Sequence, residues 1–297
     1  MVHSRPRVGI TLGDPAGIGP EVAAKAAADR TVLEVCTPVL YGSDGPIAPP
    51  VVFGQINAEN GRISYEAVRR ATHDAITGTI DAIATAPINK EAWALAGFPW
   101  RGHTDLLAEL TGASDVRMMF YAEELTVVLA TVHVALKEVP ALITCGRIET
   151  TIELSHVELS KLGCSHPRLA VAGLNPHAGE RGLMGDEDER VIAPAVERCR
   201  VRGIDVQGPL PGDTVFVRTV NGEFDAVVAC FHDQGLIPVK LIAFGRAVNV
   251  TIGLPIVRTS VDHGTGFDIA GKNCADPSSM IAAVRLAAKL ALARSES

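Results

Sequence analysis

Short apolar runs recur along the chain, each followed by a longer amphipathic stretch, and this alternation restricts the fold more than any other feature. The runs are Arg7–Leu12, Pro38–Tyr41, Ala82–Thr85, Arg117–Ala122, Leu125–Ala130, Arg168–Gly173, Ala226–Ala229 and Val248–Ile252. Several are apolar throughout, the pattern of strands covered on both faces. Between them lie helical patterns at Glu21–Ala28, Ser64–Thr77, Leu106–Thr111, Arg147–Leu162, Glu187–Arg202 and Pro277–Arg294. The alternation predicts an α/β fold. Pro194 is expected to kink or shorten the fifth of these helices. Gly42–Val52, with three prolines, reads as a surface loop. At 297 residues one core tends to split in two. We expect a first lobe from residues 1–105 and 260–297, a second from residues 106–259 carrying the metal and substrate residues, and a cleft between them.

Composition narrows the function. Aromatic residues make up 4% of the chain, and small aliphatic residues abound, which suits helices packed on parallel strands. The formal net charge is −7 and there is no long basic run, which argues against a nucleic-acid track or an anionic membrane surface as partner. An anionic substrate therefore needs a local cluster of cations. The amino-terminal residues lack an apolar signal core, and no stretch reaches membrane-spanning length, so the expected location is cytoplasmic. Six scattered cysteines form no CxxC pair, so neither a zinc knuckle nor a disulfide framework is expected.

Four stretches carry chemistry. GDPAGIGPEV, Gly13–Val22, follows a strand and suits a tight turn into a helix, but Val22 stands where a Rossmann fingerprint needs its third glycine. TAPINK, Thr85–Lys90, and GHTDLL, Gly102–Leu107, follow another strand; carboxyl ends of strands face the ligand crevice in open α/β sheets. There His103 and Thr104 offer donors to a phosphate, although Thr104 would equally serve as a helix cap. His133, His177 and His232 each follow a strand. Three imidazoles with an open position would make a catalytic divalent-metal site, yet their wide separation fits no local metal motif, and each alone is more often a structural histidine or a simple hydrogen-bonding group. In Phe231–Gly271, Lys240, Arg246, Asn249 and Arg258 offer donors to phosphate or carboxylate among residues too apolar for a solvated loop. Asp233 would orient an imidazole or accept a proton, and Asp213 sits on a Pro/Gly-bounded loop of the kind that often carries function.

Together GDPAGIGPE, GHTDLL, GLNPHAGE, GPLPGDT, HDQGLIPVK, FGRAVNVTIGLP and RTSVDHGT resemble, in order and over essentially the whole chain, the 4-hydroxythreonine-4-phosphate dehydrogenase family of vitamin B6 synthesis (PdxA-like). The related 4-phospho-D-threonate and 4-phospho-D-erythronate dehydrogenases are similar too. The first lobe is shorter than in many members around Gly42–Gly61. The resemblance implies a two-lobed α/β/α fold like isocitrate and isopropylmalate dehydrogenases, a homodimer with its active site shared between subunits, and NAD or NADP bound without the GxGxxG signature. It implies His133, His177 and His232 as ligands of one divalent metal (zinc, cobalt, magnesium or similar). His103, Thr104, Lys240, Asn249 and Arg258 would bind substrate, and Asp233, Asp213 or Lys240 would take the proton. Cofactor contacts are not assigned to residues, though Asn175–Gly185 and Thr259–Gly271 are expected near it. The implied reaction oxidises C3 of 4-phosphooxy-L-threonine and decarboxylates the product to 3-amino-2-oxopropyl phosphate. The alternative substrates, 4-phospho-D-threonate or 4-phospho-D-erythronate, would give dihydroxyacetone phosphate. A dihydrodiol-oxidising relative fits less well, since its substrate lacks phosphate. A phosphate acyltransferase-like enzyme, a metal hydrolase and a non-catalytic metabolite binder are the readings of other classes.

Overall fold

The computed structural model describes residues 5–43 and 51–295. Residues 44–50 of the expected Gly42–Val52 loop lie outside the described residues. The chain forms two compact units, Met1–Val116 with Leu254–Ser297, and Arg117–Gly253. The boundaries thus differ from the expected 105/106 and 259/260. The reason is packing: residues 103–111 form a helix lying on the long helix of the first unit, and residues 257–260 pair with one of its central strands.

In the first unit, β1 (Arg7–Thr11) leads into α1 (Gly19–Ala28) and α2 (Arg30–Val35), followed by β2 (Thr37–Tyr41), α3 (Ala58–Ile76), β3 (Ala82–Thr85), α4 (Lys90–Leu95) and α5 (His103–Thr111). The chain returns as β10 (Val257–Ser260) and α11 (Ser278–Ser295). Its strands run in the order β2-β1-β3-β10, and the pairs are parallel. Local chemistry sets the helix starts. Pro20 sits in the first turn of α1, where a missing N–H costs nothing. Asp29 caps α2 by accepting from the Thr31 and Val32 amides, and Asn57 caps α3 through the Asn60 amide. Side chains alternate across the sheet. One face packs Ile83 against Ala67 and Ala71 of α3. On the other, the Thr259 hydroxyl donates to Ala283 O of α11 at 2.8 Å. Register aligns Thr11, Thr85 and Ser260 across β1, β3 and β10, so the carboxyl ends of these strands present a row of hydroxyls.

The second unit contains β4 (Arg117–Tyr121), β5 (Val127–Leu129), α6 (Val139–Leu142), α7 (Cys145–Lys161), β6 (Leu169–Ala172), α8 (Ala193–Val201), β7 (Val206–Leu210), α9 (Gly212–Val220), β8 (Ala226–Ala229), α10 (His232–Ala243) and β9 (Val248–Ile252). Its strand order is β9-β4-β5-β8-β6-β7. β4 is antiparallel to β5 and β9, whereas the pairs among β5, β8, β6 and β7 are parallel. Its core joins Phe120, Leu125, Val127 and Leu129 to Val215 and Phe216 of α9 and Leu236 and Val239 of α10. Pro194 lies at the start of α8, whose α-helical part is shorter than the expected Glu187–Arg202. A π-turn over Asp188–Ile192 precedes that helix, which places Pro194 in its first turn, where its ring is tolerated. No helix among the described residues is long and apolar enough to cross a membrane.

Candidate active site

In the first unit the strand ends gather donors. Arg258, on β10, is buried, and its Nη2 donates to Thr85 Oγ1 on β3 at 2.8 Å. That hydroxyl in turn donates to Ser260 Oγ at 3.0 Å. Loss of hydration pulls the guanidinium down to about 9, far below its ordinary range. A cation held this way lacks water to stabilise it, so an incoming anion gains by pairing with it. His103 opens α5. Its N-cap, Gly102, has no side chain to cap the helix, so the first amides of α5 remain available to a ligand. Trp93 stands edge-on to the His103 ring, centroids 5.8 Å apart. The ring's Nε2 is buried and has no hydrogen-bond partner. Burial, then the charges of Arg258 and Lys90, push the imidazole well below its usual value, so it is neutral near pH 7. Thr104 follows in the first turn, half-buried. Lys90, which the sequence pattern placed only within TAPINK, thus joins the cationic group through its field on His103.

In the second unit the histidines occupy the carboxyl ends of β5, β6 and β8. His133 follows β5 with a left-handed φ of 50°. His232 is the first residue of α10, directly after β8. Their ring centroids lie 5.7 Å apart, a separation open to two imidazoles sharing one ion at Zn–N distances of about 2.0–2.1 Å. The approach depends on Gly235: a Cβ there would lie 2.6 Å from Leu129 Cδ2 and 2.8 Å from Val127 Cγ1, so glycine lets α10 settle on β5. His177 follows β6 on a loop of its own. Among the described residues, no group of three or more His, Cys, Asp or Glu is placed to hold a metal ion within one chain. The structure therefore brings together two of the three expected ligands, His133 and His232. These line a cavity of about 290 Å³ with Asp233. His177 and Asp213 line a neighbouring one of about 580 Å³, and Leu136, Val139 and Phe231 border both.

Carboxylates fix two of the rings. Asp233 Oδ1 lies 2.8 Å from His232 Nδ1, and Glu180 Oε2 lies 3.1 Å from His177 Nδ1. Each contact ties up Nδ1 and leaves Nε2 as the ring's other binding atom. Glu180 was not among the residues singled out from sequence, although its position three residues after His177 was the available signal. Lys240 lies two turns along α10 from His232, a rise of about 12 Å. Its ammonium stands 5.6 Å from the centre of the Phe244 ring. Lys240 and His232 of one chain are therefore not side by side. Asn249, on β9, holds its Oδ1 buried without a hydrogen-bond partner. Arg246, on the loop after α10, pairs with Glu124 at 2.6 Å, which engages it at the surface. Gln234 was missed altogether. It accepts from Cys230 N at 2.6 Å and donates to Gly173 O at 2.7 Å, tying the end of β8 to the end of β6.

Comparison with known proteins defines the class to which this arrangement belongs. Residues 20–287 match the family described as pyridoxal phosphate biosynthetic protein PdxA. A D-threonate 4-phosphate dehydrogenase of Salmonella typhimurium is 42% identical, covering 96% of this chain and 98% of the relative. A 4-hydroxythreonine-4-phosphate dehydrogenase of Desulforapulum autotrophicum is 43% identical, covering 97% and 96%. The crystal structure of 4-hydroxythreonine-4-phosphate dehydrogenase from Klebsiella pneumoniae superposes with a TM-score of 0.86 at 40% identity, over 97% of this chain and 99% of that one. Isocitrate dehydrogenase from Methylococcus capsulatus, at 17% identity and a TM-score of 0.51, shares the fold alone. The chain belongs to the PdxA family. It is accordingly an oxidoreductase of the dehydrogenase class.

Proposed function

We propose that the chain oxidises the C3 hydroxyl of 4-phosphooxy-L-threonine with NAD or NADP and that the resulting β-keto acid loses CO2, giving 3-amino-2-oxopropyl phosphate for pyridoxal phosphate synthesis. The observation that carries this reading is near-full-length similarity, at 42–43% identity, to dehydrogenases named for four-carbon acids phosphorylated at C4. The buried Arg258 and the inward Nε2 of His103 support it, because both suit an anionic group. A second reading, oxidation of 4-phospho-D-threonate to dihydroxyacetone phosphate, is favoured by the relative of that name at equal identity.

In this reading His103, Thr104, Lys240, Asn249 and Arg258 bind the substrate's anionic end. The hydrogen bond to Thr85 would hold Arg258 in place for that contact. His133, His177 and His232 would hold the divalent ion. Their donor chemistry fits, since His177 and His232 each keep Nε2 available while a carboxylate holds Nδ1. When bound, that ion supplies positive charge beside the reacting hydroxyl, and the nicotinamide supplies the hydride acceptor. Asp233 serves to orient His232. That leaves Asp213 and Lys240 as proton acceptors for the hydroxyl.

We further infer a cytoplasmic homodimer. Along α9 and α10, Val217, Val220, Ile237 and Leu241 are exposed, and they line an apolar groove of about 520 Å³ with Phe216 and Ile242. A self-complementary contact through such a groove would cover it. It would also bring a second copy's α10, with its histidine and lysine, to each site.

The test is absorbance of reduced nicotinamide with zinc-loaded protein and each substrate in turn. Turnover of 4-phosphooxy-L-threonine at least about tenfold above 4-phospho-D-threonate in kcat/KM, equivalent to about 1.4 kcal/mol, supports the biosynthetic reading. The reverse ratio selects the catabolic one. No signal with either substrate refutes both substrate readings.

A further inference from the structure

The loop bearing His177 has a conformation that its own sequence does not favour. His177, Ala178, Glu180 and Arg181 all have φ between 44° and 56°, in the left-handed region that side chains with a Cβ rarely adopt. Apolar burial does not hold it there: Pro176, His177, Glu180, Arg181 and Leu183 are exposed, Leu183 at 75%. A polar clamp does. Asp188 is completely buried, at the start of the π-turn that leads into α8. Its Oδ1 accepts from Leu174 N at 2.8 Å, and its Oδ2 accepts from Asn175 N and Asn175 Nδ2, each at 3.0 Å. Asn175 Nδ2 also donates to Glu187 Oε2 at 2.8 Å. The glycines fit around the clamp. A Cβ on Gly173 would lie 2.7 Å from Ala178 Cα and 3.0 Å from Asp188 Oδ1, and one on Gly185 would lie 2.7 Å from Asn175 Nδ2.

A buried carboxylate is costly to desolvate, and this one is satisfied entirely by the backbone and side chain at the root of the loop. Strain of this kind persists where surrounding groups over-determine it, and it gathers at functional sites. π-turns inserted ahead of helices gather there too. We propose that Asp188, with Asn175, is a positioning residue that holds the 174–185 loop in its left-handed path and so aims the His177 imidazole at the metal. The inference rests on the metal reading above. Asp188 itself touches neither metal nor substrate. It acts on the third ligand as the carboxylates of Asp233 and Glu180 act on single rings, but through the backbone.

Zinc affinity of the metal-stripped full-length protein, measured by chelator competition, tests this with Asp188→Asn, Asn175→Ala and His177→Ala. The clamp variants should bind zinc about 10–100-fold more weakly, the range seen when partners of metal ligands are removed. Backbone amides of 174–185 should exchange hydrogen faster while those of β6 and β8 stay protected, a pattern that general destabilisation would not give. Unchanged zinc affinity in a clamp variant whose loop exchanges faster overturns the proposal. Should Asp188→Asn fail to fold, Asn175→Ala decides, since its side chain is only half-buried. Wild-type protein that binds no zinc, or His177→Ala that binds it as wild type does, refutes the metal reading and the positioning role with it. Wild-type binding that is lost in His177→Ala but kept in both clamp variants refutes the positioning role alone.

Discussion

Arg258 and His103 show what burial does to single groups in this chain. His103 is a weaker base in the folded protein than in the unfolded chain, where an imidazole titrates near 6.5. The unfolded state therefore binds more protons just below that value, and stability falls as pH drops through it. His103→Gln should flatten this acid limb, with denaturant midpoints measured between about pH 5 and 7; an unchanged slope would contradict the assignment. Arg258→Met removes the second cause of the depression, so it should raise the proton affinity of His103 in an imidazole NMR titration. The same variant should lose the rise in melting temperature that inorganic phosphate gives wild type. An Arg258→Met variant that phosphate still stabilises would show that the anion binds elsewhere.

At the scale of elements, tight contact between the 173–185 segment and Asp188 makes Gly173 intolerant of a side chain. Gly173→Ala should cost about 1–3 kcal/mol in urea unfolding, the usual penalty for overpacking, whereas the loop-tip change Gly182→Ala, with open space around it, pays only for its positive φ. Equal costs would mean that the clamp tolerates displacement. The same packing explains what could be read from sequence. The wholly apolar strands were legible because burial on both faces leaves an unbroken signature. β7, VQGPL, was hidden by its glycine and proline. β10, VRTS, was hidden by an arginine whose burial only tertiary contacts reveal. α10, HDQGLIPVKLIA, was hidden by Gly235 and Pro238; its glycine is there for close approach to β5, not for a turn. The candidate site residues stood out by type, since histidines after strands and arginines among apolar residues are conspicuous. The clamp was not, because Asp188 looks like one more acid in a DEDER run until the fold buries it.

At the scale of the molecule, the apolar face of α9 and α10 sets the expected assembly. Leu241 is 81% exposed and Ile237 58%, beside Val217 and Val220. Leu241→Glu should turn the proposed dimer into a monomer in sedimentation and lower zinc affinity, while the far-ultraviolet dichroism stays the same. A monomeric wild-type protein, or a charged variant that remains dimeric, would show that this face is not the contact. The chain also has only two tryptophans, and both sit in one corner of the first unit. Tyr65 stacks on Trp100 and meets Trp93 edge to face, while Trp93 leans on His103. The emission of Trp93 thus originates beside one imidazole. A phosphate that recruits a proton to His103 would place a quenching imidazolium against Trp93, so ligand uptake should dim the fluorescence without any label.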